Sequence, residues 1–193
     1  SSSETTRKAK VALVKNGIAT IIYNENAPVS SGADAVTTEI TKEMLAGVTT
    51  TCTVYVYGDE GAVNIHELSF DPQPIEAGIP SDPLAIEVDE ELGLSTMTTT
   101  TIAKGTSHQE GKFTLVALSD KDLVVEPSKP RAKIGGSSKV GDDGIPTGGY
   151  ISFKITTPGT ITHKVISSSS SETTRKAKVA LVKNGIPTII YNE

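Results

Sequence analysis

The sequence has 193 residues and a net charge of −5, with 4% aromatic residues and no tryptophan. A chain of this length accommodates one ordinary domain, and its Val, Ile, Leu, Ala and Thr favour β-sheet. The charge excludes the basic surface typical of nucleic-acid-binding proteins, and no apolar run approaches the roughly 20 residues of a membrane-spanning helix.

The chain opens with a segment that returns at its end. Residues 1–25 read SSSETTRKAKVALVKNGIATIIYNE, and residues 169–193 repeat them with one difference, Pro187 in place of Ala19. Proline has no backbone N–H, so the second copy is less suited to strand pairing at that position. Apolar residues alternate in both copies, as in a strand with one face toward a core. These positions are Ala9, Val11 and Leu13 in the first copy and Ala177, Val179 and Leu181 in the second.

Between the two copies, alternation with a period of two predicts a succession of short strands. The predicted strands comprise residues 18–23, 49–57, 62–70, 84–88, 94–103, 113–119, 123–125, 150–157 and 160–166, and residues 38–46 are the one helix candidate. We expect residues 49–57 and 62–70 to form a hairpin, and we expect loops at residues 71–83 and 127–149, which are rich in Pro or Gly. Strands at this spacing predict an all-β fold, namely an immunoglobulin-like β-sandwich.

A strand copied behind a run of serines predicts that the sandwich is completed by strand donation. A sandwich without its last strand exposes a hydrophobic groove and an unpaired sheet edge, and both accept an extended strand. The serines of residues 167–171 would let the strand at 160–166 reverse and pair antiparallel with the second copy. The expected organisation is an N-terminal donor extension (1–15), a domain (16–166), a linker (167–171) and a second donor strand with its tail (172–193).

Two segments of the sequence carry a resemblance to a known family. Residues 8–28 read KAKVALVKNGIATIIYNENAP, and residues 145–155 read IPTGGYISFKI. The first segment is similar, without gaps, to the N-terminal extension and first strand of chaperone–usher fimbrial and capsular pilins of the plague capsular antigen group. The second is similar to the final turn and strand of that family. The matching positions of the first segment are Ala9, Leu13, Val14, Thr20, Tyr23, Glu25, Ala27 and Pro28.

The resemblance implies a structural subunit of a bacterial surface fibre, located in an extracellular fimbrium or capsule. Subunits of that family are incomplete immunoglobulin-like domains that are exported through the periplasm and polymerise by donor-strand exchange. The implied partners are neighbouring copies of the chain, a periplasmic chaperone, an outer-membrane usher and, for an adhesive fibre, a host receptor. The implied donor residues are Ala9, Val11 and Leu13, and the implied accepting strand contains Ile151, Phe153 and Ile155.

Side chains that could catalyse a reaction or bind a metal are few and scattered. His66, His108 and His163 have no spacing typical of metal ligands, and the acidic runs at 89–91 and 142–143 do not follow the calcium-loop pattern. Cys52 lies in a predicted buried strand and is expected to be a structural thiol. We therefore expect a protein that is not an enzyme and that needs no cofactor or metal.

Two other functions stay open on the sequence alone. The repeat could mark a surface adhesin built from tandem immunoglobulin-like domains with a period of 168 residues, in which residues 169–193 begin the next domain. The chain could also be a carbohydrate- or receptor-binding module, with its site on the loops at residues 71–83 and 127–149.

Overall fold

The computed structural model describes residues 10–15, 18–28, 32–46, 51–59, 61–74, 82–117, 120–136, 145–168 and 176–182. Strands dominate this part of the chain, and its one helix, α1 (Lys42–Leu45), has four residues. In chain order the strands are β1 (Lys10–Lys15), β2 (Ile18–Asn26), β3 (Val36–Ile40), β4 (Cys52–Asp59), β5 (Val63–Pro72), β6 (Ala85–Ile86), β7 (Glu90–Glu91), β8 (Thr101–Ile102), β9 (Thr106–Glu110), β10 (Phe113–Ala117), β11 (Leu123–Glu126), β12 (Arg131–Ile134), β13 (Tyr150–Ile155), β14 (Gly159–Ser167) and β15 (Lys176–Val182).

The described strands form two sheets. The first sheet has the order β2-β1-β15-β4-β13-β10-β9, with β6 beside β13, and the second has the order β3-β14-β5-β12-β11-β8, with β7 beside β5. Neighbouring strands are antiparallel except at two places in the first sheet, where β1 runs parallel to β15 and β6 runs parallel to β13. The predicted all-β architecture is confirmed at this level.

The core lies between the inward faces of the two sheets. In the first sheet, Val54 and Val56 of β4 are fully buried, and Phe153 of β13 is nearly so. The ring of Phe70, from β5 in the second sheet, lies 5.7 Å from the ring of Phe153 between centroids. Cys52 is buried in the same cluster and forms no disulfide, so its predicted burial is confirmed. Apolar contact between the sheets is therefore the main stabilising term.

The predicted hairpin between residues 49–57 and 62–70 is wrong, because its two strands belong to different sheets. β4 lies in the first sheet and β5 in the second. A Cβ atom at Gly58 would lie 2.6 Å from the carbonyl oxygen of Gly61, and Gly61 itself has a φ of 154°. Only glycine adopts such a conformation readily and allows so close an approach. The glycines therefore form a corner that takes the chain from one sheet to the other.

The strand predicted at residues 160–166 is present as β14, but its expected pairing with the second copy is wrong. β14 lies in the second sheet between β3 and β5, and its pairing with β5 extends over nine residue pairs, with one bulge. Its other edge is paired with β3 over the first five residues, from Gly159 to His163. The C-terminal copy pairs with β4 and β1 in the first sheet, so the chain changes sheets between β14 and β15.

Other differences concern polar segments. β12 lies within residues 127–149, which were expected to be a loop, and the polar β9 was not predicted as a strand. Conversely, the Thr-rich residues 94–103 contain only the two-residue β8. The hydroxyl of Thr96 donates to the carbonyl oxygen of Gly93 at 3.0 Å, a local bond that stabilises a turn in place of a strand.

Candidate functional site: the position of the C-terminal strand

The C-terminal copy of the repeat lies inside a sheet and not at its edge. β15 is hydrogen-bonded to β4 on one side and to β1 on the other. Its antiparallel pairing with β4 extends over seven residue pairs, from Lys176 opposite Asp59 to Val182 opposite Thr53. The other edge of β4 is paired with β13. The second copy therefore completes the hydrogen bonding of β4.

The register aligns alternate positions of β15 with the core residues of β4. Position 179 is opposite Val56 and position 181 is opposite Val54, and both valines are fully buried between the sheets. Position 177 is opposite Gly58, at the corner described above. Directly opposite residues of an antiparallel pair lie on the same face of the sheet. The register therefore places Ala177, Val179 and Leu181 at positions on the core face of the sheet.

The predicted accepting residues lie one strand further into the sheet. Ile151, Phe153 and Ile155 of β13 are all buried. They are opposite three core residues of β4, namely Val56, Val54 and Cys52. The edges of β13 are taken by β4 and β10, with the short β6 beside Ile155, so β15 pairs with β4 instead.

The two copies of the repeat lie side by side. β1 runs parallel to β15, and the paired residues are Lys10 with Lys178, Val11 with Val179, and Ala12 with Ala180. Each pair is separated by 168 positions, which is the offset of the repeat, so identical residues are adjacent. Among the predicted donor residues of the first copy, Val11 lies in this parallel pair and Leu13 is opposite Thr20 of β2. Ala9 lies outside the described residues.

Contacts between β2, β3 and β14 hold the first strand of the domain to the second sheet. The ring of Tyr23 in β2 lies edge-on to the ring of His163 in β14, with centroids 4.6 Å apart. His163 is 1% exposed, and its Nε2 lies 3.2 Å from the Oγ1 of Thr38. Burial lowers the pKa of His163 to about 4. The N–H of Ser167 donates to the carbonyl oxygen of Pro28 at 2.9 Å, so the end of β14 is fastened to the segment after β2.

Two surface grooves are further candidate sites. One, of about 640 Å³, lies on the outer face of the first sheet beside Tyr55 and Leu84. Polar side chains in it bond to one another, since the Oγ1 of Thr114 donates to the Oε1 of Gln109 at 2.7 Å. The other, of about 410 Å³, lies on the outer face of the second sheet and is lined in part by Asn64. Sequence reasoning identified neither groove, because their lining residues come from strands that are distant in the chain.

Neither a metal site nor a membrane-crossing helix is evident in the part of the chain that the structure covers. It contains no group of three His, Cys, Asp or Glu side chains that could hold a metal ion. It also contains no helix long and apolar enough to cross a membrane.

Comparisons with protein-family models, curated proteins and solved structures find no match. The repeat and its position in the sheet are therefore the observations that bear on function.

Proposed function

We propose that this chain is a structural subunit of a bacterial surface fibre that polymerises by donor-strand exchange, and that its own C-terminal copy completes its immunoglobulin-like sandwich. The observation that carries the proposal is the pairing of β15 with β4 over seven residue pairs. A donated strand must provide a free backbone and apolar residues at alternate positions. Residues 176–182 provide both, and they are a copy of the N-terminal strand.

The absence of β15 would expose one edge of β4. β4 would lose its partner along one edge, and the core residues Val54 and Val56 would lose their neighbours in the sheet. Each backbone hydrogen bond contributes about 0.5–1.5 kcal/mol, and apolar burial contributes about 25 cal/mol per Å². A ladder of this length is therefore a sizeable part of the roughly 5–15 kcal/mol by which a domain is stable.

In a fibre, the N-terminal copy of a neighbouring chain would take the place beside β4. That copy has the same residues at the positions that face the core, because residues 1–18 and 169–186 are identical. A chain whose own β15 pairs with β4 has no free edge on β4 for a neighbour's strand, so we expect it to be monomeric. Export with a periplasmic chaperone and an outer-membrane usher, an extracellular location and a host receptor for an adhesive fibre all belong to this proposal.

Deletion of residues 169–193 tests the proposal. Without β15, we expect the melting temperature to fall by about 10 °C or more, or the chain to form oligomers as it takes strands from its neighbours. Differential scanning calorimetry and light scattering after size-exclusion chromatography measure the two effects. Deletion of residues 183–193 alone is the matched control, because it retains β15 and should leave the chain monomeric with nearly its original melting temperature.

A peptide that corresponds to residues 172–182 provides the second measurement. Added to the truncated chain, it should restore most of the lost melting temperature and suppress oligomers. If the chain that lacks residues 169–193 keeps its melting temperature and remains monomeric, strand donation is wrong. Such a chain is better explained as one domain of a tandem-repeat adhesin.

A further inference from the structure

The groove of about 410 Å³ on the outer face of the second sheet, which we call the β5–β12 groove, has a distinctive polar lining. It lies where β5, β12 and β11 run side by side. The described residues that matter for its chemistry are Asn64, Lys121, Asp122, Val124, Arg131 and Lys133. None of them belongs to either copy of the repeat, so strand donation does not account for them.

The β5–β12 groove is cationic although the chain has a net charge of −5. Arg131 and Lys133 occupy alternate positions of β12, and Glu126 of β11 bridges them: its Oε2 accepts from the Nε of Arg131 at 2.7 Å and its Oε1 pairs with the Nζ of Lys133. Asp122 accepts from the N–H of Lys104 at 2.9 Å. Lys121 is exposed and has no ion-pair partner among the described residues. The lining therefore has three cations and one carboxylate, and the adjacent Glu126 reduces the excess to one positive charge.

The strands beside the groove, β5 and β14, carry charges of both signs. Burial lowers the pKa of His66, and the positive charges of Arg131 and Lys164 lower it further. His66 and Asn64 belong to the same strand, β5, and Lys164 belongs to the neighbouring β14. Lys164 lies directly opposite the carboxylate of Glu67 in the ladder between β5 and β14, so the excess positive charge of the groove is confined to the side of β12.

A buried amide is the second observation in the β5–β12 groove. Asn64 is 6% exposed and lies opposite Lys133 in the ladder between β5 and β12. Its Oδ1 is shielded from water and has no hydrogen-bond partner. A buried acceptor without a partner costs about 1–3 kcal/mol, and such atoms are rare in folded proteins. None of the unpaired buried polar atoms of the described residues lines the larger groove on the first sheet.

We propose that the β5–β12 groove binds an acidic saccharide, whose carboxylate draws the side chains of Lys121 and Lys133 toward it and whose hydroxyl donates to the Oδ1 of Asn64 once that movement opens the atom to the groove. A simple anion would balance the charge but leave Asn64 without a donor. A neutral sugar would supply the donor but leave the excess positive charge unbalanced. A ligand that carries a carboxylate and several hydroxyls meets both requirements on one ring. This site does not depend on strand exchange, and either proposal can fail without the other.

Titration with trigalacturonate, followed by NMR or calorimetry on the full chain, tests this proposal. We expect saturable binding with a dissociation constant of about 1 mM or tighter. Lys121→Gln and Asn64→Leu should each weaken binding by about tenfold or more, since each removes a bond to the ligand. Asn64→Leu also removes the unpaired acceptor, so it should retain or raise the melting temperature while it weakens binding. Lys121 is exposed, and its substitution keeps the test valid if the buried variant misfolds.

Three controls locate the site and define the ligand. Lys154→Gln removes a cation from the larger groove on the first sheet and should leave the affinity for trigalacturonate unchanged. Neutral maltotriose and inorganic sulfate should each bind at least about tenfold more weakly than trigalacturonate. The proposal is overturned if trigalacturonate does not bind at about 10 mM, if Lys154→Gln weakens binding as much as Lys121→Gln, or if maltotriose or sulfate binds as tightly.

Discussion

At the scale of single residues, His163 makes the stability of the fold depend on pH. It is buried between Tyr23 and Thr38, and its pKa is lowered from 6.5 to about 4 by that burial. Between these two values the unfolded chain binds a proton that the folded domain does not bind. The free energy of unfolding therefore falls as the pH decreases from 6.5 to 4, and the neutral imidazole carries no such penalty above pH 7.

This effect can be measured by urea denaturation at pH 7 and pH 5. We expect His163 to account for a loss of about 2 kcal/mol between these values. His163→Gln retains a hydrogen-bonding group toward Thr38 but does not titrate, so its stability should fall by correspondingly less. Between pH 7 and pH 8 the two proteins should show the same dependence. If they also lose equal stability between pH 7 and pH 5, His163 is not the group responsible.

Glu126 is a second residue whose ionisation affects the stability of the fold. Hydrogen bonds from Lys133 and Arg131 lower its pKa from 4.5 to about 2. These ion pairs therefore stabilise the fold above pH 4.5, and their contribution is lost as the pH falls toward 2. Glu126→Gln should lower the melting temperature at pH 7, because two cations of β12 lose their counter-charge.

The same substitution connects Glu126 to the β5–β12 groove. With Lys133 and Arg131 released, Glu126→Gln should bind trigalacturonate more tightly than the original chain does, as measured by the same titration. Glu39→Gln, on the edge strand β3, is the matched control and should alter neither the melting temperature nor the affinity. Weaker binding by Glu126→Gln would contradict the charge argument for the groove.

At the scale of elements, the register of β15 predicts opposite outcomes for two valines of the same strand. Position 179 is opposite the fully buried Val56, and position 182 is opposite the half-buried Thr53. Val179→Asp should lower the melting temperature by about 10 °C or more, because an unpaired carboxylate would be forced toward the core. Val182→Asp should have a small effect. Calorimetry that finds equal losses for the two variants would show that β15 does not have this register.

The existence of the strands was easier to predict from sequence than their pairing. β13 has alternating apolar residues and β14 is rich in the β-branched residues Thr, Ile and Val, so both could be recognised from the sequence. The corner at Gly58 could not be distinguished from a hairpin, because a turn signal does not encode whether the next strand joins the same sheet. β12 has only four residues and β9 has almost no apolar ones, so neither carries enough of the pattern.

The same limit applies to the candidate sites. The alternation of Ala177, Val179 and Leu181 is local, and it was visible in the sequence. The neighbour of β15 depends on which sheet edge is free after β13 has paired with β4 and β10, which is a long-range property. Asn64 shows no signal at all, because the sequence does not reveal that a polar residue on an outer face is buried.

At the scale of the whole molecule, the two copies of the repeat are brought together from opposite ends of the sequence. The second sheet contributes to this arrangement, because the bond between Ser167 and Pro28 and the contact of Tyr23 with His163 join β14 to the start of the domain. The serine linker therefore begins next to the segment that directly follows the first copy. Both sheets thus take part in placing β15, although β15 belongs to only one of them.

Because β1 and β15 share one sequence, their contact energies alone do not decide which copy lies beside β4. The links to the rest of the chain decide it: two residues join β1 to its antiparallel partner β2, whereas a longer serine-rich segment joins β14 to β15. If β1 took the inner place, it would have to move together with β2 or give up that pairing. The two-residue link therefore keeps β1 beside β2 and leaves the place beside β4 to β15.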